Sequence, residues 1–233
     1  MRYLALATDY DGTIALHGVV DARTIAAFER CRAAGRKLVL VTGRELDELK
    51  EVCHRLDLFD LVVAENGAVL HRPADGSETL LAERPSESFI NALRERGVAL
   101  SVGRVIVATW KPHHAAVVEA IQQSRLELQV IFNKSALMVL PSGVNKATGL
   151  TVALDEIGIA PEQVVAVGDA ENDHAFLGLC GLSVAVANAL PTLKERADLV
   201  TEGDRGQGVI ELIDALLADR LEPPARSNLG TSA

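Results

Sequence analysis

Apolar runs too short to be helices alternate with amphipathic segments along most of this chain. Tyr3-Leu4-Ala5-Leu6-Ala7, Lys37 to Thr42, Leu61-Val62-Val63-Ala64, Val164-Val165-Ala166-Val167, Leu182-Ser183-Val184-Ala185-Val186 and Leu199-Val200-Thr201 read as short strands. They lack the apolar-polar alternation of a half-exposed strand, so each is expected to be buried on both faces. Between them the period changes to that of a helix. Leu46, Leu49, Cys53 and Leu56 fall on one face of a segment over about 45–56, and Ala147, Leu150, Leu154 and Ile157 on one face of another. Val209, Leu212, Ile213 and Leu216 do the same within about 207–220. Asp21 is placed to cap a helix over 22–33, with Gly35 as its stop, and Gly158 ends the helix that Lys146 opens. Strands of this kind separated by helices specify an α/β fold, a parallel sheet with helices on both faces.

The alternation is interrupted after Asn66-Gly67. Val69-Leu70-His71 and Thr79-Leu80-Leu81 flank the turn-rich Pro73-Ala74-Asp75-Gly76 and read as a hairpin. Helices near 86–96 and 113–124 follow, with strands near 104–110 and 128–132, then a turn from Phe132 to Ala136 into Leu137-Met138-Val139-Leu140. This predicts an inserted α+β unit over 68–142, set into a parallel domain made of 1–67 and 143–221. Pro141-Ser142-Gly143 would be its exit hinge. Residues 222–233, with Pro223, Pro224, Ser227 and Gly230, read as a disordered tail.

Polar residues gather where the parallel strands end. Asp9-Tyr10-Asp11-Gly12-Thr13 follows the first strand, Thr42-Gly43-Arg44 the second, and Gly168-Asp169-Ala170-Glu171-Asn172-Asp173 the run at 164–167. In open α/β sheets ligands bind outside the carboxyl ends of the strands, so one cleft can collect all three clusters. Paired carboxylates without Cys or His suit a hard divalent cation. The formal charge of −9 argues against nucleic acid or an anionic membrane surface as partner. No run approaches the roughly 20 apolar residues that span a bilayer. Cys31, Cys53 and Cys180 are odd in number and widely spaced, which suits neither disulfides nor zinc and points to a reduced, cytoplasmic compartment.

These motifs as a set resemble the haloacid-dehalogenase-like (HAD) hydrolase superfamily, in particular its Cof-type, subfamily IIB phosphatases with a small C2-type cap. Asp9 to Thr13 matches the first motif, Thr42 the second, Lys146 the third and Gly168 to Asp173 the fourth; Glu65-Asn66-Gly67-Ala68, Ala187-Asn188-Ala189 and Gly206-Gln207-Gly208-Val209 echo that branch. The resemblance implies a Rossmann-like core and a cap domain. It implies Asp9 as nucleophile, forming an aspartyl-phosphate, and Asp11 as general acid and base. Thr42, Gly43 and Lys146 would hold the phosphate. The cofactor would be magnesium (Mg2+), bound by Asp9, the backbone carbonyl of Asp11 and Asp169, with Asn172 and Asp173 as further ligands or as residues ordering its surroundings. Lys146 is expected to pair with Asp173.

The implied activity is hydrolysis of a small phosphorylated metabolite, with phosphoglycolate or a sugar phosphate as candidates, by a monomer or homodimer. A sugar phosphomutase with the same aspartyl chemistry and a noncatalytic phosphometabolite-binding protein are the alternatives. Thr13 is open between a cap and a site role. Arg44 is expected in a surface salt bridge at the start of its helix, His113 and His114 on a solvated face, and His174 outside the cleft. Glu65 and Asn66 are read as hinge residues. Trp110 belongs either to the pocket or to the cap core, and Arg104, Lys111 and Lys134 are the cap cations available for substrate.

Overall fold

The computed structural model describes residues 2–222, so all of the expected tail except Glu222 lies outside the described residues. Eight strands form the main sheet in the order Leu199–Val200, Leu182–Ala185, Val164–Gly168, Ala5–Thr8, Lys37–Val41, Leu61–Ala64, Val69–His71 and Glu78–Leu80. The first six are mutually parallel. Ala5–Thr8 lies at the centre, in register with Val164–Val167 on one side and Lys37–Leu40 on the other. Its four residues and those of Leu61–Ala64 are all buried, which is why their sequences are continuously apolar.

Helices cover both faces as their stripes require. Asp21 caps Ala22–Ala33 by accepting from the Arg23 and Thr24 amides. Val209, Leu212, Ile213 and Leu216 are buried along Arg205–Leu217. The segment at 45–56 is broken: a helix over Leu46–Val52 ends where Cys53 leaves helical geometry, and a separate 3-10 turn covers Leu56–Leu58. Cys53 is buried all the same, so the apolar periodicity survives a break in the backbone.

The hairpin Val69–His71 with Glu78–Leu80 extends the main sheet antiparallel to Leu61–Ala64, whereas the sequence assigned it to the inserted unit over 68–142. Sheet pairing explains the difference: Val62↔His71, Val63↔Leu70 and Ala64↔Val69 complete the open edge of the parallel sheet. A second, four-stranded antiparallel sheet holds the remainder, ordered Leu128–Asn133, Ala136–Pro141, Val107–Trp110 and Ser101–Val102. The two-residue strand Ser101–Val102 is too short to leave a periodic signal. Phe89, Ile90 and Leu93 of Glu87–Glu95 and Val117 of His114–Ser124 pack with Val107, Leu137 and Val139 into a small core of its own.

One close contact sets the geometry where the two sheets meet. Gly67 (φ +102) lies so near the Asn145 carbonyl that a Cβ there would approach it to 1.9 Å, and a Cβ on Gly149, on the next turn, would lie 2.5 Å from the Gly67 Cα. Asn145 caps Lys146–Ile157 through the Ala147 and Thr148 amides. The start of this helix, and with it Lys146, is thereby seated against the ends of the parallel strands. Among the described residues, no helix is long and apolar enough to cross a membrane, and all three cysteines are buried thiols.

Candidate active site

Asp9, Thr42 and Asp169 each stand one residue past a parallel strand, on the same edge of the sheet. All three are buried, as are Lys146 and Asp173. The Lys146 ammonium lies 2.5 Å from Asp9 Oδ1 and 2.6 Å from Asp173 Oδ1, so the expected Lys146–Asp173 pair is present and Asp9 joins it. Asp173 Oδ2 accepts from the backbone amides of Asp169 (2.8 Å) and Ala170 (2.9 Å), which fixes the loop that carries Asp169. Thr13 Oγ1 donates to Asp9 Oδ2 at 2.9 Å and reaches Asp169 Oδ1 at 3.5 Å, which places it inside the site.

Three carboxylates share this buried space with one buried ammonium. Burial, opposed by Lys146 and reinforced by Asp173 and Asp169, pushes the Asp9 carboxyl up to about 7. Burial also raises Asp169, against the Lys134 hydrogen bond and with Asp173. Burial alone would lower Lys146, yet Asp173 and Asp9 hold it above its ordinary range, so it stays cationic. Oxygens of Asp9, Asp169 and Asp173 lie within 4.8 Å of one another. A buried set of hard oxygen donors with more negative charge than it can neutralise fits a divalent cation such as Mg2+.

Asp11 points away from that cluster. Its carboxylate is held by Arg44 in a two-point fork, Nε to Oδ2 at 2.5 Å and Nη2 to Oδ1 at 2.7 Å, with the guanidinium 5.7 Å from the Tyr10 ring centroid. Arg44 does make a salt bridge, but inside the site and not on the surface of its helix. Its helix starts only at Leu46, so residue 44 belongs to the loop at the strand end and turns inward. Thr42 Oγ1 accepts from the Arg44 amide at 3.2 Å. Gly43 lies against Asn66, where a Cβ would come within 3.2 Å of the Asn66 amide nitrogen.

Asn66 and Glu65 do more than mark a hinge. Asn66, in left-handed geometry (φ 54), accepts from Asn172 Nδ2 at 2.8 Å and donates to Met138 Sδ at 2.8 Å. Asn172 is thus tied to the strand junction, and its Oδ1 is buried without a hydrogen-bond partner among the described residues. Glu65 is fully buried and accepts from the amides of Arg104 (3.0 Å), Val105 (2.8 Å) and Ile106 (2.9 Å). Nothing in sequence spacing signals this carboxylate, since its partners lie some forty residues away.

A cavity of about 610 Å³ opens between the two sheets, with Asp9, Asp11, Thr42 and Gly43 on its floor and Trp110 and Lys134 on its far wall. Trp110 is 58% exposed and is therefore not part of the small core. Of the cap cations, Arg104 is consumed by Asp47 and Glu78, and Lys111 lies over the Phe132 ring beside a neighbouring cleft. Lys134 enters the site and donates to Asp169 Oδ2 at 2.7 Å. His174 lines a different cleft, with Leu193 and Arg196, and His114 packs near Phe132. Asn188 donates to the Gly12 carbonyl and accepts from the Arg205 amide, both at 2.8 Å, bracing the loop after Asp9.

Residues 6–104 and 100–213 match the model of a family described as haloacid dehalogenase-like hydrolase. The chain is 30% identical over 220 residues to phosphoglycolate phosphatase 2 of Saccharolobus solfataricus, covering 92% of this chain and 93% of that one. It is 35% identical to a phosphoglycolate phosphatase of Halorubrum lacusprofundi, covering 84% and 89%. Among solved structures it superposes on a haloacid dehalogenase-like hydrolase from Bacteroides thetaiotaomicron with a TM-score of 0.78 at 19% identity, covering 92% and 99%. It superposes on a HAD subclass IIB sugar phosphatase with a TM-score of 0.73 at 20% identity, covering 91% and 98%. These two likenesses concern the fold. The chain belongs to the haloacid dehalogenase-like hydrolase family. Within that family it is a phosphatase.

Proposed function

We propose that this protein is a Mg2+-dependent phosphomonoesterase that hydrolyses a small phosphorylated metabolite through an aspartyl-phosphate on Asp9. The observation that carries the reading is the buried Asp9–Lys146–Asp173 chain, with Asp169 beside it and Asp11 across the same cavity. Asp9, Asp169 and the Asp11 backbone would hold the cation, with Asp173 close by. When bound, it offsets the charge of nucleophile and phosphate and polarises the phosphoryl group.

This chain's own residues account for the rest. An Asp9 oxygen forms a bond to phosphorus as the bond to the leaving oxygen breaks, and Asp11 supplies that oxygen's proton. Water then attacks phosphorus, Asp11 takes its proton, and the bond to Asp9 breaks, restoring the carboxylate. Thr42, Gly43 and Lys146 orient and neutralise the phosphoryl oxygens. The Arg44 fork occupies both Asp11 carboxylate oxygens, so proton transfer between Asp11 and the leaving group requires that the fork open. The four-stranded unit acts as a cap that limits water and contacts the leaving group.

Phosphoglycolate is the first candidate, because the relatives above bear that name, and sugar phosphates are the second. The cytoplasm is the proposed location, with the protein a monomer or homodimer. Phosphate release from a panel of phosphomonoesters, with Mg2+ or with chelator, tests the reading. Mg2+-dependent release that Asp9→Asn abolishes is expected. Transfer to a sugar acceptor without net release would identify a mutase, and saturable binding without turnover a sensor.

A further inference from the structure

Lys134 occupies an unusual position for a cap cation. It sits in the two-residue turn between Leu128–Asn133 and Ala136–Pro141, in left-handed geometry (φ 53), with its amide donating to Glu171 Oε2 at 3.2 Å. That turn brings its ammonium over Gly12, where a Cβ would lie 2.9 Å from Nζ, and onto Asp169. The two partners are unequal: the Asp169 side chain is 1% exposed and the Lys134 side chain 51%. The lysine therefore reaches down from the wall of an open cavity to a carboxylate that is itself buried. Of Arg104, Lys111 and Lys134, only Lys134 lines this cavity.

Asp169 is also a carboxylate that a divalent cation would claim. A cation bound to Asp169 competes with an ammonium for the same oxygens and repels it at short range. The lysine, half in solvent on a flexible stem, can leave at little cost. Its Cα stays fixed by the hairpin turn, so its free ammonium remains above the Asp9–Asp11 floor. Arg44, the other cation facing the space above that floor, is already committed to Asp11.

We propose that Lys134 is the specificity-determining residue of the cap: it pairs with Asp169 until a divalent cation takes that carboxylate, and then turns to an anionic substituent, of the carboxylate class, on the leaving group. This rests on the phosphomonoesterase reading above. The two halves make separate measurements. In Mn2+ titrations without substrate, followed by electron paramagnetic resonance, Lys134→Gln should bind Mn2+ about fivefold more tightly, since it loses a competitor comparable to a part-exposed ion pair. Lys134→Arg should stay near wild type. Lys111→Gln removes the same charge from the same cap without touching Asp169, and should leave affinity within about twofold.

In the loaded enzyme, Lys134→Gln should raise KM for phosphoglycolate about tenfold, with kcat little changed, and should leave p-nitrophenyl phosphate unaffected. Equal Mn2+ affinities for Lys134→Gln and Lys111→Gln would overturn the exchange, and equal KM changes for the two esters would overturn the leaving-group contact. A wild-type enzyme inactive on both esters and on the wider phosphomonoester panel, yet with the Mn2+ shift in Lys134→Gln, would remove the phosphomonoesterase reading and leave the exchange at Asp169 standing.

Discussion

Replacing Asp9, the proposed nucleophile, should make the metal-free protein more stable. Asp9 is buried beside Asp169 and Asp173, and its carboxyl titrates at about 7 against an ordinary 3.8. Because the folded state holds the proton more tightly than the unfolded chain, stability is lost as pH rises from about 4 to about 7, and the loss is complete above that. Each tenfold difference in proton affinity is worth about 1.4 kcal/mol, so ionised Asp9 costs about 4 kcal/mol at pH 8. Asn matches the shape of the protonated acid, and its amide oxygen can still accept from Lys146 or Thr13. Asp9→Asn should therefore recover most of that free energy at pH 8 and almost none at pH 4. For a chain of this size the gain corresponds to about 10 °C in melting temperature.

Thermal and urea unfolding in chelator, at pH steps from 4 to 8, reads the effect directly. Adding Mg2+ should narrow the gap, because a cation held in part by Asp9, as proposed, would stabilise wild type by mass action and the variant would lack that ligand. Activity should vanish at every pH. A variant no more stable than wild type at pH 8, or equally stabilised at pH 4 and pH 8, would refute the electrostatic account of the site.

Lys146→Met should act in the opposite direction, leaving Asp9 and Asp173 buried without their shared cation. A loss of about 3–5 kcal/mol at pH 8 is expected, shrinking on acidification as Asp9 protonates, with no measurable turnover; urea unfolding at two pH values checks it. Glu65→Gln should cost about 1–3 kcal/mol, because three backbone amides lose a charged acceptor, and should speed hydrogen exchange first at residues 104–106. Arg44→Lys cannot form the fork on Asp11 and should lower kcat about tenfold or more while the melting temperature stays close to wild type. Trp110→Ala, at the exposed cavity wall, should change stability by no more than about 0.5 kcal/mol, and its effect should appear in KM.

Much of the fold was legible because the information is local. Five of the six parallel strands are buried almost throughout, the edge strand Leu199–Val200 being exposed, and their interiors carry few polar residues, so the polar clusters at Asp9, Thr42 and Asp169 fall just past strand ends. A parallel sheet places all those ends on one edge, which converts one-dimensional spacing into a three-dimensional cluster. Lys146 was legible for a similar reason: the cap residue before it and the apolar stripe after it fix where its helix begins. The hairpin at 69–80 was legible as a hairpin but not as part of the main sheet. Its residues carry the signal for pairing with each other, whereas attachment to Leu61–Ala64 depends on which sheet has an open edge.

The partners of the cations were beyond such reasoning. Arg44, Arg104 and Lys134 are long, flexible side chains on loops or strand ends, and each chose among several carboxylates that only tertiary structure brings within reach. Arg104 has no free charge to offer a substrate because Asp47 and Glu78 come from two other elements to meet it. Lys134 remains reachable because a tight turn aims it at Asp169, a carboxylate that a metal would also claim. The chemistry of the floor is thus written in residues that end strands, and it can be read from one sequence. What the cap does to the leaving group depends on which charges have already been neutralised by neighbours, a property of the assembled cavity that no spacing along the chain encodes.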